Sequence, residues 1–196
     1  MEKVSFIILA GGKSRRMGKD KRFIKFKDKY FIEHVLKTAE KISDDIIISV
    51  DKIENMNLKT KHKVIEDIFD IGAPLIGIFS ALKHCKYNYT CVLPCDAPLA
   101  NAKVFAYMIE RSRGYDGVVP KDGEYIEPLH AVYKVKPLLK ACEESIKNKK
   151  YKISEVLNKL NIYYIPVDEL RKFDKNLLTL KNINTPEDLK ELEKCV

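Results

Sequence analysis

The chain alternates short, unbroken apolar runs with stretches whose apolar residues recur every three or four positions. Val4 to Leu9 is the first run, rich in isoleucine and stopped by Gly11-Gly12. Asp45 to Val50, Tyr89 to Pro94 and the shorter Gly117 to Pro120 repeat it. Runs of this length, bounded by turn residues, predict strands buried on both faces. The intervening stretches predict helices. Phe31 to Ile42 sets Ile32, Val35, Leu36 and Ala39 on one face. Leu75 to His84 follows Pro74, and Pro137 to Lys147 opens on a proline, whose fixed φ suits a helix start. Asn101 is a candidate cap for a helix reaching Arg111. The last helix begins at Thr185-Pro186-Glu187-Asp188, with a hydroxyl cap, a proline and acids in the first turn.

Strand and helix alternating over 196 residues, with no linker or internal repeat, predict one α/β domain with a mostly parallel sheet. Such sheets bind ligands beyond the carboxyl ends of their strands. Functional residues are therefore expected just after the apolar runs.

Composition narrows the classes. The chain is 45% hydrophobic and 33% charged, which is globular, and no apolar run approaches a membrane span. The start, Met1-Glu2-Lys3-Val4, lacks a signal-peptide layout, so the expected compartment is the cytoplasm. Cys85, Cys91, Cys95, Cys142 and Cys195 form no C-x-x-C pair, and His34, His62, His84 and His130 are scattered. That pattern gives no zinc site and reads as reduced, mostly buried thiols. His130 stands alone beside a predicted strand and reads as structural. The net charge of +8 suits an anionic partner, though it is spread along the chain.

The residues after the first strand sharpen that picture. Gly11-Gly12 lets the backbone approach a ligand without a Cβ clash, and Lys13, Arg15, Arg16, Lys19, Lys21 and Arg22 follow with one acid, Asp20. Exposed N–H groups in such a turn cradle anions, and Arg and Lys add phosphate-binding charge. Two common phosphate motifs fail here. A Walker A loop ending at Gly12-Lys13-Ser14 would need glycine where Ile7 stands, and G-x-G-x-x-G would need it at Lys13. Phosphate cradle and solvent-exposed basic turn both remain open on these residues alone.

Asp96, in Leu93-Pro94-Cys95-Asp96-Ala97-Pro98, closes an apolar strand and should project into the same crevice. A hard cation bridging triphosphate oxygens needs one or two carboxylates plus phosphate and water, so Asp96 is the candidate metal ligand; a turn-forming Asp is the alternative. Asp67 follows the short apolar run Val64-Ile65. A carboxylate there could meet a ligand in the crevice or simply be solvated. Asn182 and Asn184 alternate on an extended segment, which would send both amides to one side.

Leu9 to Lys21, read as Leu-Ala-Gly-Gly-x-Ser-Arg-Arg-Met-Gly-x-Asp-Lys, resembles the signature of molybdenum cofactor guanylyltransferases, with eleven named positions over thirteen residues. It is a form of the broader L-A-x-G-x-x-x-R-M-G pattern of nucleotidyltransferases. Similar segments follow at Pro94-Cys95-Asp96, Glu66-Asp67, Pro74-Leu75-Ile76-Gly77, Pro128-Leu129-His130-Ala131-Val132-Tyr133 and Asn182-Ile183-Asn184-Thr185-Pro186-Glu187. The resemblance implies a single-domain, three-layer Rossmann-like nucleotidyltransferase fold with a mostly parallel mixed sheet. Its N-terminal half would bind GTP and its C-terminal half the acceptor. It implies nucleotide binding by Leu9, Ala10, Gly11, Gly12, Lys21, Asp67 and Asp96, phosphate stabilisation by Arg16 and Lys21, and magnesium on Asp96. It also implies acceptor binding by Asn182 and Asn184. Three positions depart from the pattern: Ala97 for Thr, Ala73 for Gly, and Ser49 for an Asn that touches the base in some members.

The function so implied is transfer of GMP from GTP to the terminal phosphate of molybdopterin, with transient contact to other cofactor-biosynthesis or acceptor proteins. Cytidylyltransferases of this kind resemble Leu-Ala-Ala-Gly at the loop, so Gly11 favours guanine. A guanylyltransferase for another small phosphate, a sugar-phosphate nucleotidyltransferase and a noncatalytic nucleotide sensor are the alternatives. A nucleic-acid module would interleave aromatics with its basic stripe, and only Met17 lies between Arg15 and Arg22.

Overall fold

Val4–Leu9 forms strand β1, with all six residues buried. The computed structural model describes residues 2–11, 21–55 and 59–194. After β1, the small hairpin β2 (Lys25–Phe26) and β3 (Lys29–Tyr30) leads into α1 (Phe31–Ala39). Then come β4 (Asp45–Val50), β5 (Lys63–Glu66), α2 (Pro74–Leu82), β6 (Tyr89–Pro94) and α3 (Ala102–Arg111). The second half holds β7 (Gly117–Asp122), β8 (Tyr125–Ile126), β9 (Ala131–Lys134), α4 (Val135–Lys147), α5 (Ile153–Leu157), β10 (Ile162–Pro166), α6 (Val167–Leu170) and α7 (Pro186–Lys194).

The main sheet runs β5-β4-β1-β6-β9-β7-β10, with β8 paired to β7. β5, β4, β1 and β6 are mutually parallel, β10 is parallel to β7, and β9 runs against both β6 and β7. Alternate residues of β1 serve opposite layers, as the pleat requires. Phe6 and Ile8 pack with Ile32, Val35 and Leu36 of α1 and Val104, Phe105 and Met108 of α3. Ile7 and Leu9 pack with Leu75, Ile78 and Phe79 of α2, Leu138 of α4 and Val156 of α5. The result is the expected three-layer fold with a mostly parallel mixed sheet. From β1 the chain steps outward to β4 and β5, then returns through α2 to β6 on the other side. That reversal puts the crevice at the carboxyl ends of β1 and β6.

The predicted boundaries shift in places. Strands Val4–Leu9, Asp45–Val50 and Tyr89–Pro94 fall as expected, and the Gly117 strand runs on to Asp122. Helix α1 ends at Ala39 instead of Ile42; residues 40–42 turn away as the Glu40, Lys41 and Ile42 amides bond to Leu36, Thr38 and Ala39 carbonyls. α2 closes at Leu82, short of His84. α4 starts at Val135, two residues before Pro137. The first-turn amides have no intrahelical partner, so proline is tolerated there without having to begin the helix. The Asn101 side chain accepts from Lys103 N–H at 2.9 Å, the cap expected of it. Strands β2, β3 and β8 and helices α5 and α6 were not anticipated, each too short to show a clear period, and neither was β10, whose mixed pattern does not alternate.

The buried-thiol expectation holds for Cys91, Cys95 and Cys142, while Cys85 is partly exposed. Burial pushes the Cys85 thiol up to about 11 and Cys142 up to about 12, so both stay unreactive thiols near neutral pH. Cys195 lies outside the described residues.

Candidate active site

Four parallel strands end side by side. β1 leads into Ala10-Gly11, β4 into Asp51, β5 into Asp67 and β6 into Cys95-Asp96. Backbone hydrogen bonds carry the sheet one step beyond its strands. Ala10 N–H donates to Ser49 O (2.8 Å), Asp67 N–H to Val50 O (2.8 Å) and Cys95 N–H to Leu9 O (2.9 Å). The loop residues Leu9, Ala10, Gly11, Asp67 and Asp96 are thus brought to one edge by rigid elements.

Asp67 is fixed from beneath. The Ser49 hydroxyl donates to its Oδ1 at 2.5 Å. Two glycines leave room around the carboxylate. A Cβ on Gly77 would lie 3.0 Å from Ser49 Oγ and 3.4 Å from Asp67 Oδ1. A Cβ on Gly11 would lie 3.1 Å from Asp51 N and 3.5 Å from Asp67 Oδ2. Burial pushes the Asp67 carboxyl above the usual aspartate range; the Ser49 hydroxyl opposes this, and the Asp51 and Glu66 carboxylates add to it. The carboxylate is therefore held between the first loop and α2, with Oδ2 on the Gly11 side. The sequence marked Ser49 only as a departure from the asparagine of the resembled pattern. The structure gives it a supporting role, since its hydroxyl donates to one Asp67 oxygen and leaves the carboxylate's other acceptor sites available.

Among the described residues, no three of His, Cys, Asp or Glu gather as a metal cage. Arg22, read only as part of the basic loop, is buried, and its Nη1 lies 3.8 Å from Asp51 Oδ1. Lys21 opens the 3-10 turn Lys21–Phe23. Gly12 and Arg16 lie outside the described residues.

The segment carrying the two asparagines is tied to the same crevice. Ile183 N–H donates to Asp96 O at 2.9 Å. The Ile183 side chain is buried with Ile24, Phe26, Phe31 and Leu192. Beyond it, Asp188 Oδ2 accepts from Asn184 N–H (2.8 Å) and Thr185 N–H (2.9 Å), while Thr185 Oγ1 accepts from Asp188 N–H (3.1 Å). This reciprocal cap opens α7 and fixes the backbone at Asn184. Asn182 Oδ1 is buried. His130, beside it, is fully buried, and burial lowers its imidazole to about 4 against the opposing effect of Asn182. The structural reading of His130 stands as far as exposure goes.

Residues 6–161 match the model of the MobA-like NTP transferase domain. The chain belongs to the MobA-like NTP transferase family. A probable molybdenum cofactor guanylyltransferase of Pelotomaculum thermopropionicum is 34% identical over 183 residues, which is 93% of this chain and 88% of that protein. One from Clostridium perfringens is 35% identical over 199 residues, covering 99% of this chain and 98% of the relative. Among solved structures, the molybdopterin-guanine dinucleotide biosynthesis protein A of Archaeoglobus fulgidus is similar with a TM-score of 0.86 and 30% identity, covering 98% of both chains. In this MobA-like chain, the expected residues Leu9, Ala10, Gly11, Asp67 and Asp96 share one crevice edge, and Asn182 and Asn184 flank the residue bonded to Asp96. Sequence reasoning did not foresee that Ser49, Gly11 and Gly77 surround Asp67. Gly11 and Gly77 lay in resembled segments and Ser49 was a departure, but nothing in the sequence joined the three to Asp67.

Proposed function

We propose that the chain transfers GMP from GTP to the terminal phosphate of molybdopterin and releases pyrophosphate, with magnesium as cofactor. The observation that carries this reading is the Asp67 carboxylate, anchored by Ser49 and flanked by Gly11 and Gly77. Guanine offers an N–H and an amino group side by side, and one carboxylate can accept both. Leu9, Ala10, Gly11 and Gly12 bring backbone against the nucleotide. Arg16 and Lys21 neutralise the phosphates. Asn182 and Asn184 bind the acceptor, so the N-terminal half serves GTP and the C-terminal half the second substrate. The names of the relatives support the same pair of substrates.

The chemistry asks little covalent work of the protein. An acceptor phosphate oxygen attacks the α-phosphorus, the bond to the bridging oxygen of the β-phosphate breaks, and pyrophosphate leaves with that oxygen. The nucleophile is already anionic near neutral pH, so no general base is required. Rate comes from alignment and from charge placed where it develops. Asp96 would hold magnesium, which when bound supplies neutralisation of triphosphate oxygens. The reaction uses soluble substrates, which fits the cytoplasm and transient meetings with cofactor-biosynthesis or acceptor proteins. No described helix is long and apolar enough to cross a membrane.

The deciding experiment is pyrophosphate release with each of the four nucleoside triphosphates in the presence of molybdopterin and magnesium. GTP should be preferred. Preference for CTP, or turnover only with another acceptor, overturns the reading.

A further inference from the structure

The His130 side chain is fully buried, and neither Nδ1 nor Nε2 has a hydrogen-bond partner among the described residues. The same holds for the buried Oδ1 of Asn182. Orphaned polar groups of this kind are rare and costly in folded proteins, and each asks for an explanation. Here the orphans are complementary. An imidazole N–H is a donor, and a carboxamide oxygen is an acceptor. The Asn182 side chain opposes the effect of burial on the imidazole, while neither group meets a hydrogen-bond partner among the described residues.

Their place in the fold adds a second line. Ala131 pairs with Val92, so His130 sits beside the carboxyl end of β6, from which Asp96 follows. Asn182 neighbours Ile183, whose N–H bonds to Asp96 O. The His130 backbone is held by its own N–H to Glu127 O (3.2 Å), and the turn is braced by Tyr133 Oη donating to Pro128 O (2.7 Å). Glu127 Oε2 lies 3.7 Å from His130 Nδ1, too far for a hydrogen bond, and burial raises the Glu127 carboxyl. The imidazole is thus carried on a braced turn, with the Glu127 carboxyl as a polar neighbour beyond hydrogen-bond reach.

We propose that His130 is the positioning residue for Asn182: one imidazole N–H closes on Asn182 Oδ1 when the acceptor is engaged, turning the amide N–H groups toward it. The inference rests on the acceptor side of the proposed function. Functional hydrogen bonds are often long before substrate arrives and tighten in the complex.

His130→Leu, His130→Gln, Asn182→Ala and the double variant His130→Leu/Asn182→Ala decide it, using the full chain with GTP and molybdopterin. In His130→Leu the acceptor KM should rise about tenfold, one hydrogen bond's worth, with the GTP KM unchanged. Its melting temperature should hold or rise, because an apolar side chain replaces orphaned nitrogens. His130→Gln keeps a donor and should recover most of the acceptor KM. The double variant should be no worse than Asn182→Ala alone. The Asn182 side-chain amide resonances of the substrate-free protein should move in His130→Leu. Unmoved resonances, additive losses, or a fallen melting temperature with both KM values raised alike overturn the proposal. The resonances are read without substrate, so failure of the wild type with molybdopterin sinks the acceptor assignment and leaves the pairing to be judged separately.

Discussion

Gly77→Ala is a small change whose consequences can be worked from distances. Gly77 lies inside α2 and is buried. The new Cβ would meet Ser49 Oγ at 3.0 Å, Leu9 Cδ2 at 3.2 Å and Asp67 Oδ1 at 3.4 Å. The Leu9 methyl is the end of a flexible side chain and can give a few tenths of an ångström. Ser49 Oγ cannot move freely, because it is bonded to Asp67. Relief of the clash therefore comes from rotating Ser49, which breaks that bond, or from displacing Asp67, which shifts the carboxylate itself. A hydrogen bond to a charged group is worth about 1.5–3 kcal/mol. Replacing glycine by alanine inside a helix returns about 1 kcal/mol. The net destabilisation is then about 0.5–2 kcal/mol, a fall of about 1–8 °C in melting temperature for a chain of this size. The larger effect falls on substrate. If Asp67 reads guanine, losing its placement removes a comparable contact, and each 1.4 kcal/mol is about tenfold in affinity. The GTP KM should rise about 10–100-fold in a pyrophosphate-release assay at saturating acceptor, while the acceptor KM stays near wild type. A variant with wild-type GTP KM would refute the placement of the base against Asp67. A rise in both KM values with a large loss of stability would show that the helix, not the carboxylate, had been perturbed.

Other consequences are as direct. Ser49→Ala removes the hydroxyl that opposes the burial effect on Asp67, so the carboxyl should titrate still higher. The acid limb of kcat/KM for GTP then moves to higher pH, and an unmoved limb refutes the link. The raised carboxyl also sets the sign of its stability effect. Its protonated form is favoured in the fold, so that stabilisation is present below 3.8 and lost as pH rises through the folded value. Asp96→Ala should lower turnover a hundredfold or more, by analogy with losing a preorganised charge-stabilising contact, while thermal unfolding stays cooperative. The fold should survive because the Ile183 bond uses the Asp96 backbone carbonyl; normal activity sinks the magnesium assignment. Asp188→Ala removes the side chain that accepts from Asn184 and Thr185, a cap worth about 1 kcal/mol, so melting should fall by about 2–4 °C. Those backbone bonds hold the Asp188 carboxyl below its ordinary range, so its contribution is present above 3.8 and lost as pH falls through the depressed value. An unchanged melting temperature near neutral pH would refute the cap.

The order of elements was legible in the chain because burial on both faces leaves an unbroken apolar run, and a helix with one buried face leaves a 3.6-residue period. Val4–Leu9, Asp45–Val50 and Tyr89–Pro94 meet that condition and fall where expected. β10, with the pattern Ile-Tyr-Tyr-Ile-Pro at the sheet edge, does not, because an edge strand mixes buried and exposed residues without a strict alternation. The loop after β1 and the acids after β5 and β6 were also legible, since strand ends in a parallel sheet are where ligands bind.

By itself, then, the sequence determined the layered α/β architecture and put Asp67 and Asp96 just after apolar runs, at the edge where such a sheet binds ligands. Local preference and periodicity encode those features within short windows. Only the tertiary structure decided which side chains meet there. Ser49 reaches Asp67 across 18 positions through the pairing of β4 with β5, and Gly77 joins them from a helix on one face of the sheet. His130 comes beside Asn182 only because β9 runs antiparallel to β6 and Ile183 is tied to Asp96. Strand order and register set these meetings, and they are properties of the packed chain that no short stretch of residues carries.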